Sequence, residues 1–290
     1  MVAGATDATL LASRVDRLDV DLSNASVDAA DTWVLVGLDS RANLPPGARA
    51  EDFGSVDAVP GARADVVVVV RRTDSGTAVL SVPRDVLVSS SGRGPERLAL
   101  SWLDGPGATV AALCGLGIPA GHLVSVDLGG FAGMVDAAGG LDVDVPMPVR
   151  DEPAGLMLTS AGRQHVDGTT ALAMVRSRHP EHLVEGRWTP AAVDPDGRAA
   201  AAGTVLAALA HQVRGSVERP WRLQAFAWAT SGAVAVDRGT SVAELASLAR
   251  VDLGSVEVLP VGDPAGTSLV RLPTRATTAA LRSAGLSCSH

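Results

Sequence analysis

The sequence predicts an α/β fold, with helices on both faces of a mixed sheet. Strand-like and helix-like apolar patterns interleave along all 290 residues. No low-complexity linker or internal repeat divides the chain, and its length suffices for one large core. Three valine-rich runs each abut a cluster of arginine and aspartate. One unit spanning 1–290 is therefore expected.

The elements follow in order. Residues 8–17 read as a short helix leading into an alternating stretch at 18–22. Residues 24–31 are a polar connector, and 32–37 form the first buried strand. Residues 41–62 form a long loop rich in Pro, Gly, Ala and acidic residues, of the kind that often covers a site. Strands at 66–72 and 77–82 flank Thr73-Asp74-Ser75-Gly76, a hairpin signal. Residues 86–97 read as loop, 107–116 as helix and 122–127 as strand. A helix over 130–138 ends at Gly139-Gly140. Residues 141–145 alternate as an edge strand, stopped by Pro146 and Pro148. An amphipathic helix over 167–175 runs into Arg176. Residues 179–195 are irregular, and 197–214 form a long Ala-rich helix. Helices at 220–229, 242–250 and 274–283 then alternate with strands at 233–236 and 255–261.

Composition narrows the function. All 24 basic residues are arginine, which points to a GC-rich, actinobacterium-like genome, and tyrosine is absent. A net charge of −8 argues against nucleic acid as partner but leaves room for a local basic pocket and a phosphorylated ligand. No apolar run is long enough to span a bilayer, and no secretory signal is evident. Cys114 reads as a small core residue, and Cys288 lies close to the C-terminus. Spacing alone leaves their pairing open, since a disulfide also needs an oxidising compartment.

The chemistry concentrates in Gly37-Leu38-Asp39-Ser40-Arg41, Arg63-Ala64-Asp65, Pro83-Arg84-Asp85, Arg176-Ser177-Arg178 and Asp196-Gly197-Arg198. If 34–36, 66–70 and 78–82 form an antiparallel meander, the first three clusters share one sheet edge. Carboxylates and guanidinium groups then crowd together, at a cost in folding energy that a metal and phosphates would explain. Asp39 and Asp65 are candidate Mg²⁺ ligands, because that ion takes one or two carboxylates plus phosphate oxygens and water. The same spacing equally fits two strand-end carboxylates, each satisfied by a neighbouring arginine. Arg41, Arg63, Arg84, Arg97, Arg176, Arg178 and Arg198 form a candidate anion cradle, since a guanidinium fork holds two phosphate oxygens at once. Asp85 is expected to orient Arg84, Asp127 to cap a strand end, and Asp136 to be a helix-surface charge. His179-Pro180-Glu181-His182 reads as loop rather than as a metal pair.

Taken together, the clusters resemble the LytR-CpsA-Psr family of cell-wall glycopolymer transferases over about 32–198, with 199–290 completing the fold. The matching stretches are 34–41, Gly61-Ala62-Arg63-Ala64-Asp65, Leu80-Ser81-Val82-Pro83-Arg84-Asp85, and 131–145. Gly162-Arg163-Gln164-His165-Val166-Asp167-Gly168 follows, with 171–172 and 175–178. The resemblance implies a three-layer α/β/α fold with a hydrophobic lipid tunnel. It also implies an enzyme anchored in the membrane, through a segment absent from this chain, at the outer face of the cytoplasmic membrane. Such a phosphotransferase moves a glycopolymer with its phosphate from a polyprenyl-pyrophosphate carrier to peptidoglycan.

Carried over by residue, Asp39 and Asp65 hold Mg²⁺, while Arg63, Arg84, Arg176, Arg178 and Arg198 contact the pyrophosphate. Asp39, Arg84 and Arg63 are the expected catalytic residues, with Asp39 assisting deprotonation of the acceptor hydroxyl. The chain departs from the family pattern at Arg97-Leu98-Ala99-Leu100-Ser101-Trp102, where an asparagine is missing. It departs again at Arg198-Ala199-Ala200-Ala201-Ala202, where alanines replace an arginine and a glutamine. Two rival readings follow: a weakened relative that binds polyprenyl phosphate or glycopolymer without turnover, and a polyprenyl pyrophosphate hydrolase.

Overall fold

The computed structural model describes residues 9–22, 29–45, 61–73, 76–90, 94–192, 194, 196–216, 219–264 and 268–288. Its centre is a mixed seven-stranded sheet in the order β1-β14-β7-β2-β3-β4-β15. The strands are β1 (Asp16–Arg17), β2 (Thr32–Leu38), β3 (Ala64–Thr73), β4 (Gly76–Val82), β7 (His122–Asp127), β14 (Val234–Val236) and β15 (Glu257–Val258). β2, β3 and β4 form the expected antiparallel meander, and β7 runs parallel to β2. Thr73 pairs with Gly76, so a two-residue connection closes the β3–β4 hairpin; Asp74 and Ser75 lie outside the described residues.

Helices cover both faces. α1 (Leu98–Ser101), α2 (Pro106–Leu116) and α8 (Arg275–Ser283) precede and follow the others in the chain, which are α3 (Leu128–Ala138), α4 (Gly168–Arg176), α5 (Gly197–Gly215), α6 (Pro220–Ser231) and α7 (Val242–Leu248). Period-two alternation sorts the strand residues between the faces. Val34, Val36, Val67, Val69, Leu80 and Leu123 pack with Leu98, Leu113, Ile118 and Leu281. The opposite set, including Leu35, Val66, Val68 and Val124, faces Leu206 and Ala210 of α5 and Leu245 and Leu248 of α7. β3 is nearly free of solvent from Val67 to Val70, and each such side chain contributes roughly 1.5–3 kcal/mol. The three-layer α/β/α reading holds.

Several local expectations need correction. Residues 8–17 are not one helix: the helix described over 9–12 gives way to β1, because Asp16 and Arg17 pair with Ala235 and Val236. Residues 18–22 continue irregularly instead of as a strand. The segment 86–97 is a hairpin of β5 (Leu87–Ser90) and β6 (Gly94–Arg97) rather than a loop. Likewise β12 (Glu181–Val184) and β13 (Arg187–Pro190) form a hairpin within 179–195, and β12 also pairs with β9 (Val149–Asp151). β8 (Leu141–Val145) pairs with β11 (Gly162–Val166) in a two-stranded ribbon, and β10 (Leu156–Leu158) pairs with β9. Cys114 is bonded to Cys288, which ties the chain beyond α8 to the end of α2. Asp136 is no free surface charge, because its carboxylate accepts from the Gly168 N–H at 2.7 Å. That contact seats α4 on α3 so closely that a Cβ at Gly168 would lie 2.1 Å from the Ala132 carbonyl oxygen. Of the long loop at 41–62, residues 46–60 lie outside the described set.

Candidate active site

The sheet edge gathers the clusters because of how its strands end. A register shift at Gly37/Leu38 bends β2, and the next residue, Asp39, donates its N–H to the Arg63 carbonyl at 2.9 Å. Leu38 also lies opposite Asp127 at the end of β7. Asp65 sits at the start of β3, and the chain leaves β4 through Pro83 to Arg84. Asp39, Asp65 and Asp127 thereby reach the rim of a cavity of about 580 Å³.

The cavity's interior is apolar. Leu35, Val66, Val68, Val124 and Val126 form its sheet wall, and Val205, Leu206, Leu209 and Val213 of α5 form the helical wall. Phe131 of α3, Phe226 of α6 and Leu245 of α7 complete it. Asp39, Arg41, Asp65, Arg176, Arg178 and Arg198 line its mouth. One continuous space thus joins a greasy body to a charged opening.

Ion pairs lace the mouth together. Arg84 donates to Asp65 at 2.5 Å and lies 3.6 Å from Asp85. Arg178 approaches the other oxygen of Asp65 at 3.7 Å. Asp85 also takes Arg97 at 3.1 Å and Arg198 at 3.5 Å, so it orients more than Arg84 alone. Arg41 pairs with Asp39 at 3.3 Å, both largely buried. Guanidinium groups outnumber carboxylates in this network. Burial, reinforced by repulsion from Arg84 and Arg178, pushes the Arg198 guanidinium down to about 10. It remains charged at neutral pH, and with Arg84 and Arg178 beside it an anion between them would relieve their mutual repulsion.

The candidate arginines are not equivalent. Arg176, at the end of α4, and Arg178 both reach the mouth, with Ser177 extended between them. Arg84 stands behind Asp65 and lines a small adjoining recess with Asp85 and Arg198. Arg97 is held by Asp85 and is absent from the cavity lining. Arg63 also stays out of the lining; its carbonyl fixes Asp39, and its buried Nε has no hydrogen-bond partner among the described residues.

Sequence reasoning missed Asp151. It is 2% exposed, and one carboxylate oxygen accepts from the Ser177 hydroxyl and the N–H groups of Arg178 and His179, each at 2.7 Å. Burial alone would raise its pKa, but the His179 N–H, the Ser177 hydroxyl and the Arg178 N–H together hold it below the usual carboxylate range. Asp151 therefore anchors the arginine arm that edges the mouth. Asp127 caps α3 through the Gly130 N–H at 2.7 Å and holds Asn43 at 3.2 Å. His182 lies in β12, not in a loop. Among the described residues, no group of three or more His, Cys, Asp or Glu is placed to hold a metal.

The chain as a whole matches known proteins. The profile of the LytR_cpsA_psr family covers residues 5–214. The chain belongs to this family. An enzyme of the family from Actinomyces oris, described as LytR-Csp2A-Psr, superimposes with a TM-score of 0.77 at 36% identity, covering 94% of this chain and 97% of that one. TagV of Bacillus subtilis shares the fold, with a TM-score of 0.61 at 20% identity over 88% of this chain and 95% of that one. The probable cell wall biosynthesis protein LcpB of Corynebacterium glutamicum is 34% identical over 172 residues, 57% of this chain and 41% of that protein. TagU of Bacillus cereus, a polyisoprenyl-teichoic acid–peptidoglycan teichoic acid transferase, is 24% identical over 153 residues, 51% of this chain and 44% of that protein. The chain thus spans less than half the length of these curated relatives. No helix among the described residues is long and apolar enough to cross a membrane.

Proposed function

We propose that this protein transfers a cell-wall glycopolymer, with its linking phosphate, from a polyprenyl-pyrophosphate carrier to peptidoglycan at the outer face of the cytoplasmic membrane. The observation that carries this reading is the single cavity whose walls are apolar at Leu206 and Leu209 and whose mouth holds Asp39, Asp65, Arg176, Arg178 and Arg198. An isoprenoid chain fits the first part and a doubly phosphorylated headgroup the second. The roles by which the relatives LcpB and TagU are named, cell wall biosynthesis and teichoic acid transfer, agree with it.

In this reading Arg176, Arg178 and Arg198 grip the pyrophosphate at the mouth, and Arg84, which steadies Asp65, donates to it from the adjoining recess that it shares with Arg198. An acceptor sugar hydroxyl attacks the phosphorus that bears the glycopolymer, and its proton passes to Asp39. The bond to the second phosphate breaks, and polyprenyl monophosphate leaves with the electron pair. Fixed guanidinium groups stabilise that departing charge with little reorganisation.

Asp39 is paired with Arg41, and Asp65 with Arg84 and Arg178, as the arginine-satisfied reading of the sequence expected; together with phosphate oxygens and water the two carboxylates would be the residues to hold Mg²⁺. Bound there, Mg²⁺ would supply further charge neutralisation at the phosphates. One observation favours the rival of binding without turnover, or of hydrolysis by water. Ala202 lines the recess beside Arg84 and Arg198, at a position where the family pattern offers a glutamine.

Incubation with geranylgeranyl pyrophosphate and Mg²⁺, followed by phosphate release, tests the assignment. Release that falls in Asp39→Ala and Arg84→Ala supports it. Absence of release by the parent protein selects the binding reading, and equal release by all three discards the site.

A further inference from the structure

Arg271 lies beyond the family profile and outside every cluster singled out from the sequence, yet it is only 4% exposed. Its guanidinium reaches both carboxylate oxygens of Asp196, through Nη1 and, at 3.5 Å, through Nη2. Nε donates to the Gly262 carbonyl at 2.8 Å, and Nη2 approaches that of Val261 at 3.4 Å. The backbone of Arg271 is equally engaged. Its N–H donates to the Asp85 carbonyl at 3.0 Å, and its own carbonyl accepts from the Leu87 N–H at 2.8 Å.

One buried residue therefore joins two elements of the mouth. Its backbone fixes the segment after β4 that bears Arg84 and Asp85. Its side chain fixes Asp196, at the start of α5, two residues before Arg198. Arg84, Asp85, Arg198 and Arg271 line the same small recess. Arg84 and Arg198 repel one another, so holding both toward one anion calls for a tie between the segments that bear them. Because Asp196 neutralises Arg271, the tie adds no further net charge.

We propose that Arg271 is a positioning residue for the headgroup arginines, acting through Asp196 and the Asp85 backbone to keep Arg84 and Arg198 aimed at a pyrophosphate. The proposal rests on the functional reading above and assigns it a determinant from the C-terminal segment. Arg271 itself touches no substrate.

The test measures affinity for geranylgeranyl pyrophosphate and for geranylgeraniol, which lacks the phosphates, in the parent and in Arg271→Lys and Asp196→Asn variants. The Asp196 side chain is 42% exposed, so its variant keeps the test open if Arg271→Lys fails to fold. The expected result is an about tenfold weaker grip on the pyrophosphate, as supporting partners of binding groups typically give, with geranylgeraniol binding unchanged. In an Arg198→Ala background, Arg271→Lys should cost nothing further, because the two act as one unit. Equal losses for both probes, fully additive losses with Arg198→Ala, or no loss at all would each overturn the proposal. A parent protein that binds geranylgeraniol but not its pyrophosphate discards the headgroup reading, and Arg271's role with it. A parent that binds both while the variants match it discards Arg271 alone.

Discussion

The two faces of the central sheet are built from the same residue type and finished differently. On one, Val34, Val36, Val67 and Val69 meet Leu98, Leu113, Ile118 and Leu281 in a filled core. On the other, Leu35, Val66, Val68 and Val124 look across a cavity at Leu206, Leu209 and Val213. Hydrophobicity does not distinguish them. The difference lies in what stands opposite: α2 and α8 fill one face, whereas α5 supplies small residues such as Ala202 and Ala210 to the cavity wall. The filled face holds the fold, and the hollow face leaves room for a ligand.

That division of labour can be broken at its charged rim first. Arg84→Ala should lower phosphate release from geranylgeranyl pyrophosphate by about 10²–10³-fold, the scale seen when one preorganised donor to a developing anion is lost. Thermal unfolding measured on the same variant checks that the loss is not collapse of the sheet edge. A decline of only a few-fold would place the chemistry elsewhere.

The filled face should answer in stability instead. Cys114→Ser opens a link between residues 174 apart in sequence, and denaturant titration should show a loss of about 2–4 kcal/mol. Affinity for geranylgeranyl pyrophosphate at low temperature should stay as in the parent. A Cys114→Ser protein that is stable but loses its ligand would show that the faces are coupled.

The hollow face should give the reverse. Leu206→Trp places a larger side chain in the cavity wall and should raise the KM for the lipid about tenfold, equivalent to ~1.4 kcal/mol. Its unfolding midpoint should hardly move, since the ring enters open space. Inorganic pyrophosphate, having no tail, should bind this variant as it binds the parent; if it does not, the wall and the mouth are not separable.

The smallest effect is one of pH. Burial, with repulsion from Arg84 and Arg178, pushes the Arg198 guanidinium down to about 10. The side chain is therefore charged at neutral pH and loses its proton as pH rises through about 10. Since an anion favours the charged form, affinity for inorganic pyrophosphate should be full below that pH and decline modestly above it. Arg198→Ala should bind more weakly and lack this step in a calorimetric pH series.

Much of this arrangement was legible because it is local. The meander of β2, β3 and β4 announces itself in apolar runs joined by a short turn, and the alignment of their ends places Asp39, Asp65 and Arg84 on one edge. The helices over 128–138 and 168–176 were legible too, but Asp127, expected at a strand end, and Asp167, expected inside its helix, turn out to be their N-caps. What escaped notice depends on distant partners. The 87–97 and 181–190 hairpins are short, polar and half exposed, so no alternation betrays them. Residues 16–17 become strand only because β14 arrives beside them. Asp151 serves a hydroxyl and two backbone N–H donors 26 to 28 positions away, and a carboxylate that holds such groups leaves no sequence pattern. Cys114 and Cys288 carry no spacing that declares a bond across the whole α/β body. The resemblance supplied the set of arginines, but only coordinates sort Arg176, Arg178 and Arg198 at the mouth from Arg63 and Arg97 away from it.

The backing of Arg84 and Asp85 comes from Arg271, and β4 gains its outer neighbour only from β15. A polypeptide released from the ribosome or a translocon N-terminus first therefore presents its acidic and basic side chains before the scaffold that aims them has emerged. Competence is postponed to the final stretch of synthesis, so a chain cut short before Arg271 would display the family's signature motifs and still lack an assembled headgroup clasp.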